Sequence, residues 1–245
     1  MNDPIYRIAL TLIPNIGDVL IRNLISYCGS EEKIFKAGKE KLLKIPGVGE
    51  VIAQSIKSFD DFKRAEEELK FVEKHNIQML FFTDANYPAR LKQYNDSPVL
   101  LYYKGTTDLN FKTGVAIVGT RNATDYGKSV TEKLVQELAP YKPVIISGLA
   151  YGIDIHAHRD ALNNKLETIA VLGHGLHTIY PAQHRSAAQK IVEQGGLLTE
   201  FMSSSSFDKE NFPKRNRIVA ALCDCLVIVE SGIKGGALIT AHLAG

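Results

Sequence analysis

The stretch Val115-Ala-Ile-Val-Gly-Thr-Arg-Asn122 decides the fold of this 245-residue chain. An apolar run ends at a glycine, and a helical pattern follows from Thr124, which predicts a buried strand, a tight turn and the start of a helix. Such a turn presents backbone amides and a helix N-terminus above the strand, which favours phosphate. The guanidinium of Arg121 adds a planar fork of donors that matches phosphate geometry.

The same design repeats through the second half of the chain. Strands are predicted at 115–118, 144–146, 168–172, 196–200 and 225–230, with helices between them. Strands that are apolar on both faces and are separated by helices indicate an α/β fold, in which a parallel sheet is covered by helices on both faces. Ligands of such sheets bind beyond the carboxyl ends of the strands.

Residues 1–77 are predicted to form a separate, all-helical domain, followed by a second domain over residues 78–245. The first domain contains a near-repeat, Ile13-Pro-Asn-Ile-Gly17 and Ile45-Pro-Gly-Val-Gly49, and an amphipathic helix follows each copy. We expect Gly17 and Gly49 to permit the tight turn into the next helix. The pattern resembles the helix-hairpin-helix motif, whose turn offers amides to DNA phosphates. Because acidic and basic residues balance over this domain, packing alone is a slightly better explanation of the turns than DNA binding.

Bulk composition excludes several classes of protein. The formal charge is only +2, so any nucleic-acid site must be local. The sequence contains neither an apolar run long enough for a membrane span nor a signal peptide, so a cytoplasmic protein without membrane contact is expected. Cys28, Cys223 and Cys225 are interpreted as reduced thiols, because the spacing of the last two does not suit a zinc site.

Five polar loops are expected to meet at the carboxyl edge of the sheet. Cations are densest in the fourth, at Phe212-Pro-Lys-Arg-Asn-Arg217. On a helix beginning near Lys214, Lys214 and Arg217 share a face that can meet phosphates, whereas Arg215 points elsewhere and can bind inside the fold. Several arginines at one edge suit a polyanion. The five loops cover residues 119–122, 147–154, 173–181, 200–217 and 231–236.

The sequence contains few of the motifs that are typical of enzymes. The chain has no unbroken Gly-X-Gly-X-X-Gly and no Walker motif, and Ser147 has no evident base. Histidines occur in the loops and at the start of the helix that begins near residue 154. Helix capping and loop hydrogen bonds explain them better than catalysis does. Asp154 is expected to cap that helix, and Glu200 and Glu230 to pair with the site arginines. No catalytic residue, metal or cofactor is therefore predicted.

Several motifs in order resemble the DNA-processing protein A family (DprA/Smf). They are Gly119-Thr-Arg121, Ser147-Gly-Leu-Ala-Tyr-Gly-Ile-Asp-Ile-His-Ala-His158, the Gly173–Pro181 loop, Thr199-Glu200 and Phe212-Pro-Lys-Arg-Asn-Arg-Ile218. The similarity covers roughly residues 80–245. Where many members have a lysine after Tyr-Pro, this chain has Ala182, and Arg185 is the nearest replacement.

The resemblance implies an extended Rossmann-like domain preceded by a small all-α domain of the helix-hairpin-helix or SAM-like type. It also implies a non-enzymatic protein that binds and protects single-stranded DNA and helps load the RecA recombinase during natural transformation, usually as a homodimer. Tyr151, Tyr180 and Phe212 are candidates for stacking on bases, although each can equally serve in packing. The predicted nucleic-acid-binding residues are Gly119, Thr120, Arg121, Asn122, Ser147, Gly148, Tyr180, Arg185, Phe212, Lys214, Arg215, Asn216 and Arg217.

Two further expectations complete the sequence-based interpretation. The chain stops at Gly245 within a predicted helix, which indicates truncation at the C-terminus. The alternative function is that of a nucleotide-processing enzyme, a phosphoribohydrolase of the lysine-decarboxylase-like group on a related fold. The motif Pro-Gly-Gly-X-Gly-Thr-X-X-Glu of that group is missing, although Gly235-Gly-Ala-Leu-Ile-Thr240 occupies the comparable place.

Overall fold

The chain divides into two units in the computed structural model, which describes residues 4–205, 208–232 and 236–244. The first unit comprises residues 1–84 and 95–100, and the second comprises residues 85–94 and 101–245. A short segment of the chain, 95–100, therefore returns to the first unit before the second is completed.

Helices make up most of the first unit, as the sequence predicts. Their apolar faces bury residues such as Ile8, Leu24, Ile34 and Ile56 in a common core. The elements are α1 Pro4–Leu12, α2 Asp18–Cys28, α3 Glu31–Lys36, α4 Lys39–Leu42, α5 Glu50–Lys57, α6 Phe62–Lys74 and β1 Gln78–Phe81.

The two proline-glycine turns of this unit differ from the sequence-based expectation. Gly17 and Gly49 are N-cap residues with φ of −102° and −94°, which any residue adopts, and a Cβ at either would meet nothing within 4 Å. The left-handed residue lies two positions earlier in each copy, at Asn15 with φ 64° and Gly47 with φ 85°. The expectation that Gly17 and Gly49 permit the turns is wrong, because the chain reverses before it reaches them.

We expect Gly47→Ala to destabilise the first unit by about 1 kcal/mol, since a Cβ is strained in the left-handed region. The matched control is Gly49→Ser, where the backbone is extended, the space is open and serine is a favoured N-cap residue. Urea unfolding of the two variants beside the wild type measures the difference. Equal losses at the two positions would contradict the assignment of the turn to residue 47.

An α/β sheet with flanking helices forms the second unit. Its strands lie in the order β2-β6-β5-β4-β3-β7. The pairs from β6 to β7 are parallel, as predicted, whereas β2 runs antiparallel to β6. The strands are β2 Leu100–Gly105, β3 Gly114–Gly119, β4 Val144–Ser147, β5 Thr168–Val171, β6 Gly195–Thr199 and β7 Cys225–Val229.

Helices cover both faces of this sheet. Val115 and Ile117 of β3 face one side, where they pack in a cluster with residues of α7 and α8, and α9 packs beside them against β5 and β6. Val118 faces the other side, toward α10 and α11. The helices are α7 Asp125–Leu138, α8 Ile153–Asn163, α9 Arg185–Glu193, α10 Asn211–Leu222 and α11 Gly236–Ala244.

Helix α10 begins earlier than the sequence predicts. The expected start was near Lys214, but the helix starts at Asn211 and includes Pro213 in its first turn. Proline is tolerated there because the first backbone N–H groups of a helix need no partner within it. Within the residues that the structure describes, no helix has the length and apolar character of a membrane span.

Candidate functional site

A cavity of about 530 Å³ opens at the edge where β3 and β4 end, which we call the rim cavity. Four of the five predicted loops contribute to its wall, and the first turn of α10 and the start of α11 complete it. Residues 233–235 of the fifth loop lie outside the described residues. The predicted binding residues that line the rim cavity are Gly119, Thr120, Arg121, Phe212, Arg215 and Asn216.

Arg215 forms the floor of the rim cavity and is buried, with 4% of its surface exposed. Its guanidinium donates to the carbonyl of Gly148 at 2.7 Å and to the carbonyl of Val171. These carbonyls belong to the chain at the ends of β4 and β5, so the arginine ties α10 to both strands. A Cβ at residue 148 would lie 2.6 Å from Cζ of Arg215, which explains why a glycine occupies that position.

Asp154 lies next to Arg215 and is also buried. Its Oδ2 accepts hydrogen bonds from the amides of Gly148 at 3.1 Å and Ala150 at 3.4 Å. The expectation that Asp154 caps α8 is wrong, because Gly152 is the N-cap and the carboxylate instead fixes the loop that precedes the helix. The Asp154 carboxylate therefore supports the site from below, beside the charge of Arg215.

Burial shifts the pKa values of Asp154 and Arg215 in opposite directions. Loss of solvent raises the pKa of Asp154, while the nearby Arg215 guanidinium lowers it. Burial also lowers the pKa of Arg215 to about 10, against the attraction of Asp154. Since that pKa is still well above 7, Arg215 keeps its positive charge at neutral pH, beside the Asp154 carboxylate that also lines the rim cavity.

The two glutamates that end strands have different partners. Glu200 pairs with Arg217, with 2.6 Å between Oε2 and Nη2, as expected. Glu230 does not pair with an arginine in the described structure: its Oε2 accepts from the amide of Thr124 at 3.0 Å and its other oxygen accepts from the hydroxyl of the same residue. The expected pairing of Glu230 is wrong because its position beside β3 brings it to the start of α7, where amides favour a carboxylate. These hydrogen bonds lower the pKa of Glu230.

Aromatic rings and a guanidinium form a row at the mouth of the rim cavity. Cζ of the exposed Arg121 lies 5.9 Å from the ring centroid of Phe212, and that centroid lies 6.0 Å from the ring centroid of Tyr180. Tyr180 is 47% exposed. Three separate segments, after β3, after β5 and in α10, thus place flat polar and aromatic groups side by side on the surface.

Comparison with known proteins identifies the family to which this chain belongs. Residues 78–245 match the family described as DNA recombination-mediator protein A, and residues 7–68 match the helix-hairpin-helix motif. The match to the first covers more than half of the chain. This chain belongs to the DNA recombination-mediator protein A family.

Individual relatives extend the match over the whole chain. The protein Smf of Synechocystis sp. is 36% identical over 247 residues, which cover 98% of this chain and 61% of that protein. The DNA processing protein DprA of Streptococcus pneumoniae is 41% identical over 161 residues, or 66% of this chain and 57% of the relative. The chain therefore spans less than two thirds of the length of these relatives.

Solved structures of family members have the same fold. The X-ray structure of DprA from Streptococcus pneumoniae superposes with a TM-score of 0.83 at 32% identity, covering 100% of this chain and 84% of that one. A structure of DNA processing protein A from Helicobacter pylori, described as giving insight into its single-stranded DNA binding mode, superposes with a TM-score of 0.62. It has 36% identity and covers 69% of this chain and 75% of that one.

Some predicted binding residues of this family member lie outside the lining of the rim cavity, as far as the structure describes it. Arg217 is held by Glu200, and Lys214 is exposed on α10. Arg185 is exposed at the start of α9. Lys214 and Arg217 do share a helix face, but neither is among the described residues that line the rim cavity.

Three other predicted residues have structural roles. The buried hydroxyl of Ser147 donates to the carbonyl of Ile117 at 2.6 Å and joins β4 to β3. The backbone N–H of Asn122 donates to the hydroxyl oxygen of Thr120 at 3.2 Å. Gly148 packs under Arg215. All three therefore shape the loops that surround the rim cavity.

Sequence reasoning missed several residues of the lining. The cation Lys209 lines the rim cavity from the loop before α10, and Ser231 and Thr240 also line it. Lys209 and Ser231 lie in loops that the sequence assigned to the site, so loop membership was the available signal. Ala150, Asp154, Pro213, Gly232, Gly236 and Ala237 also line it.

The histidines near the rim take part in internal hydrogen bonds. His174 contacts the carbonyl of Gly175 at 3.0 Å and accepts from the amide of Tyr180 at 3.2 Å. His158 is fully buried against the hydroxyl of Thr168 at 2.7 Å, and burial lowers its pKa to about 3. His177 accepts from the amide of Ser204 at 3.1 Å. These contacts agree with the prediction of loop hydrogen bonds.

We expect Gly148→Ala to destabilise the second unit by about 2 kcal/mol, because the new methyl group would overlap the immobile guanidinium of Arg215. Gly173→Ala is the matched control. Its Cβ would lie 3.0 Å from the nearest ring atom of Phe212, which is a tight contact but a less severe one than at residue 148. The midpoints of urea denaturation measure both. A smaller loss at residue 148 than at residue 173 would show that Arg215 is free to move.

Proposed function

We propose that this chain binds single-stranded DNA through the rim cavity and acts as a non-enzymatic mediator of recombination. The observation that carries the proposal is the convergence of three cations, Arg121, Lys209 and Arg215, on one opening of the sheet edge. Guanidinium groups and exposed loop amides bind phosphodiester oxygens of any sequence.

The row formed by Arg121, Phe212 and Tyr180 at the mouth of the rim cavity favours a single strand over a duplex. Phe212 and Tyr180 lie beside Arg121 at the mouth, so the bases of a strand whose phosphates contact Arg121 meet aromatic faces. Stacking of this kind requires unpaired bases and has little sequence preference, because every base has a π face. The relative from Helicobacter pylori, whose structure is described by its single-stranded DNA binding mode, supports the same choice of ligand.

Substitution of Arg121 tests the proposal directly. We expect Arg121→Ala to weaken oligo-dT binding by about tenfold and to reduce the slope of log affinity against log salt by about 0.7, the value for one phosphate contact on a single strand. Fluorescence anisotropy at several salt concentrations measures both quantities. An unchanged affinity would remove the rim cavity from the function.

Two further variants separate charge from stacking in the same assay. Phe212→Leu should lower the affinity, since stacking contributes roughly 1–3 kcal/mol per base, but should leave the salt slope unchanged. Lys112→Ala removes a cation just before β3, at the amino edge of the sheet, and should change neither quantity. A salt slope that falls equally in all three variants would indicate a diffuse surface charge instead of a site.

We further propose that the DNA complex is passed to the RecA recombinase and that the protein works as a homodimer. The description of the family as a recombination mediator supports the first part. A protein that mediates recombination must hold a strand without consuming it, and the internal hydrogen bonds of Ser147 and His174 fit a binding role.

The RecA proposal predicts faster assembly of RecA on single-stranded DNA that is already covered by a single-strand-binding protein. We expect the wild type to shorten the lag of the DNA-dependent RecA ATPase and Arg121→Ala to lose this effect. Sedimentation of the same samples gives the oligomeric state. A lag that does not respond to the wild type, under conditions where it binds DNA, would overturn the mediator role.

A further inference from the structure

A second cavity, of about 650 Å³, lies between α8 and α9, and we call it the helix groove. Arg159 and Asn163 line it from α8, and Ser186 and Lys190 line it from α9. Each pair is four residues apart and therefore shares a helix face. The groove thus has polar, hydrogen-bonding walls along about one turn of each helix.

The charge of the helix groove is positive. Arg159 and Lys190 are exposed and have no ion-pair partner among the residues that the structure describes, and the exposed Arg185 at the start of α9 adds a third cation nearby. The only described carboxylate in the lining is that of Glu193. Two cations against one carboxylate leave the lining of the groove with a net positive charge, and together with its amide and hydroxyl groups it is suited to an extended anion.

A continuous chain of contacts joins the helix groove to the rim cavity. Ala150 lines the rim cavity, and the next residue, Tyr151, donates its hydroxyl to Oε1 of Gln183 at 2.9 Å. Gln183 lines the helix groove. The ring of Tyr151 packs edge-on against His184 with 5.1 Å between centroids and remains 42% exposed.

We propose that the helix groove binds the phosphodiester backbone of the same DNA strand after it leaves the rim cavity and crosses the ring of Tyr151. This inference rests on the proposed function of the rim cavity. Arg159 and Lys190 contact phosphates on the two walls, Asn163 and Ser186 supply neutral donors, and Tyr151 offers a face for one base at the crossing. A strand that fills both cavities is longer than one that fills the rim cavity alone.

The length of the ligand distinguishes the two cavities. We compare an oligo-dT of about 6 nucleotides with one of about 20, because a single binding module covers roughly 4–16 nucleotides. The double variant Arg159→Gln/Lys190→Gln should bind the long strand about tenfold more weakly, with a salt slope lower by about 1.4 for two lost phosphate contacts. Its affinity for the short strand should equal that of the wild type.

Matched controls keep the result interpretable. The double variant Lys112→Gln/Lys133→Gln removes two exposed cations elsewhere in the second unit and should leave the affinities for both lengths unchanged. Tyr151→Leu should weaken binding of the long strand without changing its salt slope. Thermal unfolding of each variant checks that the glutamine substitutions leave the fold intact.

Three results would overturn the inference about the helix groove. Unchanged binding of the long strand by Arg159→Gln/Lys190→Gln would exclude the helix groove, and an equal loss for both lengths would place its effect in the rim cavity. Specific binding of a free nucleotide that depends on Arg159, with no effect on the long strand, would assign the groove to a small anion. Failure of the wild type to bind the short strand would instead refute the rim cavity.

Discussion

The second unit depends on one buried cation. Arg215 reaches from α10 to carbonyl groups at the ends of β4 and β5, and Asp154 lies beside it to balance the charge. A guanidinium without solvent is costly unless donors and charge are satisfied. Since the carbonyls that satisfy it belong to different strands, the sheet must form before the arginine can be buried, and α10 is positioned by that requirement.

The arrangement of the surface follows from the position of α10. Phe212 lies in the turn before Arg215, so the same helix that is fixed from below places an aromatic ring at the mouth of the rim cavity. Asn216, the next residue, donates to the carbonyl of Gly236 at 3.2 Å and sets the start of α11. One helix therefore carries Arg215 and Asn216, which hold neighbouring elements, and Phe212, for which we propose a binding role.

Much of this architecture was predictable from the sequence. The apolar runs gave the parallel strands, and the loops after them gave Arg121 and Arg215, because strand ends of a parallel sheet meet at one edge. Contacts between distant segments were not predictable in the same way. The hydrogen-bond partner of Glu230 depends on the pairing of β7 with β3. Lys209 lines the rim cavity in place of Lys214 because α10 begins three residues earlier than the sequence pattern indicates.

The buried setting of Arg215 also determines where the entropy of association is lost. Its side chain is immobile before any ligand arrives, and so are Asp154 and the loop that it holds. Ordering a long side chain on binding costs roughly 0.5–1.5 kcal/mol, and this protein has already met that cost during folding. For a flexible polyanion seated above such a floor, Arg215 and Asp154 add no ordering cost on binding, and the loss of freedom falls on the ligand and on exposed side chains such as Arg121.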